Sequence, residues 1–108
     1  MKKIICLVAI MLITLTGVKA QIKDAQIKTS GQCEHCKETL EKNLRFEKGV
    51  KKVSFDVNSH IVNVKYDDAK TTIRNIQIAI TKLGYDADSL IADSKAYEKL
   101  NACCKKPE

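Results

Sequence analysis

Apolar residues recur at every fourth position, Cys36, Leu40 and Leu44, within a stretch from Cys33 to Phe46. Glu34, Lys37, Glu38, Glu41, Lys42 and Arg45 occupy much of the remainder. Residues four apart lie on one face of a helix, so the spacing predicts a helix with one buried stripe, stopped by Gly49. A second stripe, Ile73, Ile76, Ile80 and Leu83, predicts another helix ended by Gly84. Between the two the period falls to two. Val53, Phe55 and Val57 alternate with Lys52, Ser54 and Asp56, and Val62, Val64 and Tyr66 alternate again beyond the polar Asn58-Ser59. That is the pattern of two half-buried strands in a hairpin. Asp24 to Ser30 reads as a first strand around Ala25, Ile27 and Thr29, and Tyr85 to Leu90 as a short last one. Ser94 to Leu100 is expected to form one or two helical turns, with Tyr97 and Leu100 packing back, ahead of a Cys-Cys tail.

The order strand, helix, strand, strand, helix, strand predicts an α+β fold of the ferredoxin-like βαββαβ kind. Its four-stranded antiparallel sheet carries both helices on one face. Many activities share that arrangement, so it assigns none by itself.

The N-terminal pattern is different. Lys2 and Lys3 precede an apolar run from Ile4 to Thr16, and Gly17 leads into Val18-Lys19-Ala20. This is the three-part pattern of a secretory signal peptide, too short to span a bilayer, with cleavage expected after Ala20. The chain then divides into a signal peptide (1–20), a domain (21–92) and a C-terminal segment with a short helix and cysteine tail (93–108). A periplasmic or secreted location follows. Cys6 sits at the start of the apolar run with no hydrophobic segment ahead of it, so no lipid or other membrane anchor is expected after cleavage. Losing Lys2, Lys3 and Lys19 lowers the net charge from +6 to +3, which shows that much of the basicity belongs to the export signal. With few aromatics and no tryptophan as well, nucleic acid is a poor partner. Lys37, Lys42, Lys51 and Lys52 read as a solvated face, or as a surface for an acidic partner.

Cleavage leaves Cys33, Cys36, Cys103 and Cys104. A bond within either pair closes a tiny loop that constrains the unfolded chain little, and adjacent cysteines bridge only with strain. Both pairs therefore read as sites rather than staples. Cys33 is placed in a loop and Cys36 in the first turn of a helix, where free N–H groups and the helix dipole favour thiolates. Two thiolates at this spacing converge on one thiophilic ion. Cu(I) and Hg(II) are satisfied by two sulfurs, whereas Zn(II) wants four ligands and would need Cys103 and Cys104 to fold back.

Three readings stay open: a soft-metal carrier, a thiol–disulfide protein with Cys33 attacking and Cys36 resolving, and a zinc-stabilised interaction module using all four cysteines. Thioredoxin-like proteins usually place a tryptophan before the motif and a cis-proline facing it. This chain has no tryptophan, and its one proline is Pro107. Cys103 and Cys104 read equally as an exposed tail pair free to oxidise, or as a second soft-metal site or accessory ligands that complete the coordination at Cys33 and Cys36, with Lys105 and Lys106 expected to help hold them ionised. His60 reads as a solvated turn residue.

Four landmarks together, Cys33-x-x-Cys36, Gly49-Val50, Tyr66-Asp67-Asp68 and Leu83-Gly84-Tyr85, resemble the heavy-metal-associated domain from about Asp24 to Leu90. The resemblance implies a binding protein, not an enzyme, in which Cys33 and Cys36 are the metal ligands and Tyr85 lies in a loop beside them. His35 resembles the histidine between the cysteines of several bacterial copper chaperones, which points to Cu(I), with Hg(II) second. His35 and Tyr85 are expected around the ion rather than on it. A monomer is expected, handing its ion by ligand exchange to a thiol-bearing transporter or acceptor protein. The family's lead-in is Gly-Met-x-Cys, and Gly31 here replaces the methionine that packs under the metal loop. That departure predicts a looser loop.

Overall fold

The computed structural model describes residues 20–106. All of the expected signal segment except Ala20 therefore lies outside the described residues, as do Pro107 and Glu108. Strands β1 (Ile22–Lys28), β2 (Val50–Asp56) and β3 (Ile61–Asp67) form an antiparallel sheet in the order β1-β3-β2. Its register sets Ala25 and Val53 on either side of Val64, and Ile27 and Phe55 on either side of Val62. All six point to one face, which is the buried one apart from the partly buried Val53. Asp24, Gln26, Ser54, Asn63 and Lys65 occupy the exposed face. The period-two alternation in the sequence is what separates the two.

Helices α1 (Glu34–Leu44) and α2 (Ile73–Lys82) cover the buried face. As the four-residue spacing predicts, α1 buries Cys36, Leu40 and Leu44. Helix α2 buries Ile76, Ala79 and Ile80, and its N-cap Thr72 accepts the Asn75 N–H. Ile73, read as part of the stripe, is 43% exposed, since it is the first helical residue, at the open end of the packed face.

The fourth strand expected over Tyr85–Leu90 does not form. Ala87 makes one bridge to Thr29 beside the end of β1, and then the chain doubles back so that Ala87 and Leu90 exchange backbone hydrogen bonds. Asp88 takes a left-handed conformation (φ 52°) at this turn, and its carboxylate accepts the Lys28 N–H at 3.0 Å. The Asp88 side chain and backbone N–H thus pair the Lys28 N–H and carbonyl that a ladder would have paired.

The C-terminal segment is part of the fold rather than a tail. Helix α3 (Ser94–Glu98), capped by Asp93, approaches Gly84 so closely that a Cβ there would stand 2.9 Å from the Ala96 backbone. Gly84 also holds φ +105°, which only glycine adopts readily. Leu100 packs against the core, and a 3-10 turn (Ala102–Cys104) follows in which Cys104 is completely buried. The Lys106 N–H donates to the Tyr97 hydroxyl, while its ammonium pairs with Asp86. The core runs from Ala25 to Cys104, so a chain beginning at Gln21 contains every described element.

Asp86 is the pin of this arm, since its carboxylate also accepts the Ala92 N–H at 2.9 Å. Partial burial pushes its carboxyl up, but Lys106 and the Ala92 N–H outweigh that and hold it below the usual value. A depressed carboxyl contributes stability above the unfolded pKa of about 4, and the contribution is lost as pH falls through the folded value. Amide protection at Ala92 and Lys106 should therefore fall on acidification below about pH 4. In Asp86→Ala it should be low at every pH. Equal protection in both proteins at neutral pH would remove Asp86 from this role.

Candidate metal centre

The segment between β1 and α1 is tied down at three points. Thr29 Oγ1 accepts the Gly31 N–H at 3.1 Å, Ser30 Oγ accepts the Asp86 N–H at 2.9 Å, and the Gly31 carbonyl accepts from His60 Nδ1 at 2.6 Å. His60 is thus no solvated turn residue. It sits at φ 62° in the hairpin turn, and its ring holds the lead-in to the cysteines. Gly31 is not loose either. A Cβ there would meet Phe55 Cζ at 3.2 Å, Cys36 Cβ at 3.3 Å and Leu40 Cδ1 at 3.3 Å. The Phe55 ring reaches under the loop from β2 and fills the space that a longer side chain would need.

Cys33 is the N-cap of α1, with extended backbone and its carbonyl accepting the Lys37 N–H at 3.0 Å. Cys36 lies in the first turn and is fully buried. Their sulfurs are 3.3 Å apart. The arm brings the other two cysteines to the same place: Cys33 Sγ is 2.9 Å from Cys103 Sγ and 3.4 Å from Cys104 Sγ. Cys36 and Cys104 are joined as a disulfide across 68 residues, leaving Cys33 and Cys103 free. The small-loop argument against staples holds only for bonds within each pair. It says nothing of a bond between pairs, which closes a long loop.

The Cys103 thiol is pushed up, first by its hydrogen bond to Cys33, then by desolvation and by charge at Cys33. Lys105 and Lys106 do not hold it ionised as expected. Lys105 Nζ lies 5.9 Å from the centre of the Tyr97 ring, and Lys106 turns to Asp86. His35 is exposed and lines a shallow groove with Leu83, Asp93, Lys99 and Leu100.

Tyr85 is fully buried, and its hydroxyl has no hydrogen-bond partner among the described residues. Burial raises the phenol above its usual pKa, and charge at Cys33 and Cys103 adds to the rise. An unpaired buried hydroxyl costs about 1–3 kcal/mol. Tyr85→Phe should therefore be more stable than the parent by about 1 kcal/mol or more in denaturant titration. A loss of stability would mean that the hydroxyl has a partner.

Phe55 and His60 are the site residues that the sequence did not reveal. Phe55 was legible as a strand residue only, and nothing in the local pattern places a hairpin histidine against a loop 29 residues earlier.

The heavy-metal-associated domain matches residues 32–86, half of the chain, and the chain belongs to that family. Cys33 and Cys36 lie inside the match, whereas Cys103 and Cys104 lie beyond it. Over 61 residues the chain is 38% identical to the copper chaperone CopZ of Staphylococcus epidermidis, covering 56% of this chain and 90% of that one. Among solved structures, a CopZ metallochaperone shares 30% identity at a TM-score of 0.58, over 60% of this chain and 98% of its own. Oxidized MerP from Ralstonia metallidurans CH34 shares 26% identity at a TM-score of 0.60, over 63% of this chain and 96% of its own.

Proposed function

We propose that the chain is an exported carrier or scavenger of one thiophilic ion, Cu(I) before Hg(II), and not an enzyme. The observation that carries this is the Cys33–Cys36 pair, two sulfurs 3.3 Å apart at the start of α1 in a domain similar to copper chaperones. Free N–H groups in the first turn stabilise negative charge there, and thiolates prefer soft ions to hard ones. Cys33 is partly exposed, so an acceptor's thiolate can add to the ion before one of the protein's own sulfurs leaves. That exchange would pass the ion to a thiol-bearing transporter or acceptor, from a monomer in the periplasm or outside the cell.

The Cys36–Cys104 disulfide favours a second reading, a thiol–disulfide protein. A titration separates them. The reduced chain from Gln21 onward is expected to take Cu(I) from a competing chelator, and Cys33→Ser/Cys36→Ser to take none. If the parent binds no Cu(I) against the chelator, the carrier reading fails, and the disulfide's reduction potential becomes the functional quantity.

A further inference from the structure

Cys103 and Cys104 are outside the family match, yet their sulfurs lie against Cys33, and Cys33, Cys103 and Cys104 all fall within 4.8 Å of one another. The arm that carries them is held by Gly84, Leu100, Tyr97 and Asp86. Its cysteines are therefore delivered to this spot by the fold and do not reach it by chance.

Metal–thiolate bonds of about 2.3 Å put two sulfurs about 4.6 Å apart across a linear ion. The same bonds give about 4.0 Å in a trigonal plane and about 3.8 Å in a tetrahedron. In the oxidised chain Cys33 Sγ lies 3.3 Å from Cys36, 2.9 Å from Cys103 and 3.4 Å from Cys104, and Cys103 lies 4.0 Å from Cys104, so all four sulfurs stand within reach of one ion once Cys36 and Cys104 are reduced. Burial points the same way. Cys36 and Cys104 are fully buried, which offers an ion entering at Cys33 a sulfur on each element beneath it.

We propose that Cys103 and Cys104 are metal ligands. In the reduced chain the C-terminal arm adds its sulfurs to the ion held by Cys33 and Cys36, so that Cu(I) is bound by three or more thiolates rather than two. This rests on the reading of Cys33 and Cys36 as a soft-metal site. The disulfide must first be opened by a dithiol, which is oxidised to its own disulfide as its two hydrogens pass to Cys36 and Cys104.

The test is X-ray absorption at the copper edge, with chelator competition, on the reduced chain from Gln21 onward loaded with one Cu(I). Three or more sulfurs are expected around copper in the parent and two in Cys103→Ser/Cys104→Ser. Affinity should fall by about 100-fold, the lower end of what a tethered second binding element contributes. Retention of a two-sulfur site in that variant shows that it still folds. If it does not, Cys103→Ser and Cys104→Ser made singly supply the comparison, with a sulfur lost in at least one of them. Two sulfurs and equal affinity in parent and variant would overturn the proposal while leaving the Cys33–Cys36 site intact. Absence of Cu(I) binding in the parent would overturn both.

Discussion

Reducing the chain should lower its melting temperature by on the order of 20 °C, and Cu(I) should restore it. The Cys36–Cys104 bond joins residues 68 apart, and in the chain-entropy picture a closed loop of that length is worth about 4 kcal/mol. For a domain of this size each kcal/mol moves the midpoint by roughly 4–8 °C. Breaking the bond also frees Cys36 and Cys104 as thiols. An ion at about 1,000 times its Kd returns about 4 kcal/mol, so the reduced, loaded protein should melt near the oxidised one. Calorimetry with and without reductant reads the effect. A reductant-independent midpoint in the parent would show that the bond contributes nothing. The oxidised protein, with Cys36 occupied, should also compete poorly for Cu(I).

Phe55→Ala should be the most damaging single change in the sheet. Phe55 is buried, and truncation of a buried phenylalanine costs about 3–5 kcal/mol. Its backbone anchors α1 as well: the N–H donates to Glu41 Oε2 at 2.9 Å and the carbonyl accepts from Lys37 Nζ at 2.9 Å. Losing the ring opens space under Gly31, so the reduced variant should hold Cu(I) less tightly even where it remains folded. Phe55→Leu, which keeps most of the volume, should recover much of both properties. A Cu(I) affinity in folded Phe55→Ala equal to the parent's would separate the loop from the ring that packs beneath it.

What the sequence made legible follows from how local each signal is. The stripes of α1 and the alternation of β2 and β3 are written in neighbouring residues, and the buried faces match them. Tyr85–Leu90 failed as a strand because its short apolar positions are interrupted by Asp86, Asp88 and Ser89. Two of these spend their side chains on backbone groups or at a turn, as Asp86 does at Ala92 and Asp88 at Lys28. Cys33 and Cys36 were legible as a pair because a loop and one helical turn fix their separation. The meeting with Cys103 and Cys104 was not, since it depends on Gly84 admitting α3 and on Asp86 taking Lys106, contacts made across the fold.

Burial grades the four cysteines by depth. Cys36 and Cys104 form a floor closed to solvent, Cys33 stands halfway up, and Cys103 is at the rim. Anything arriving from solvent therefore meets Cys103 first and Cys33 next, and reaches the two floor sulfurs last.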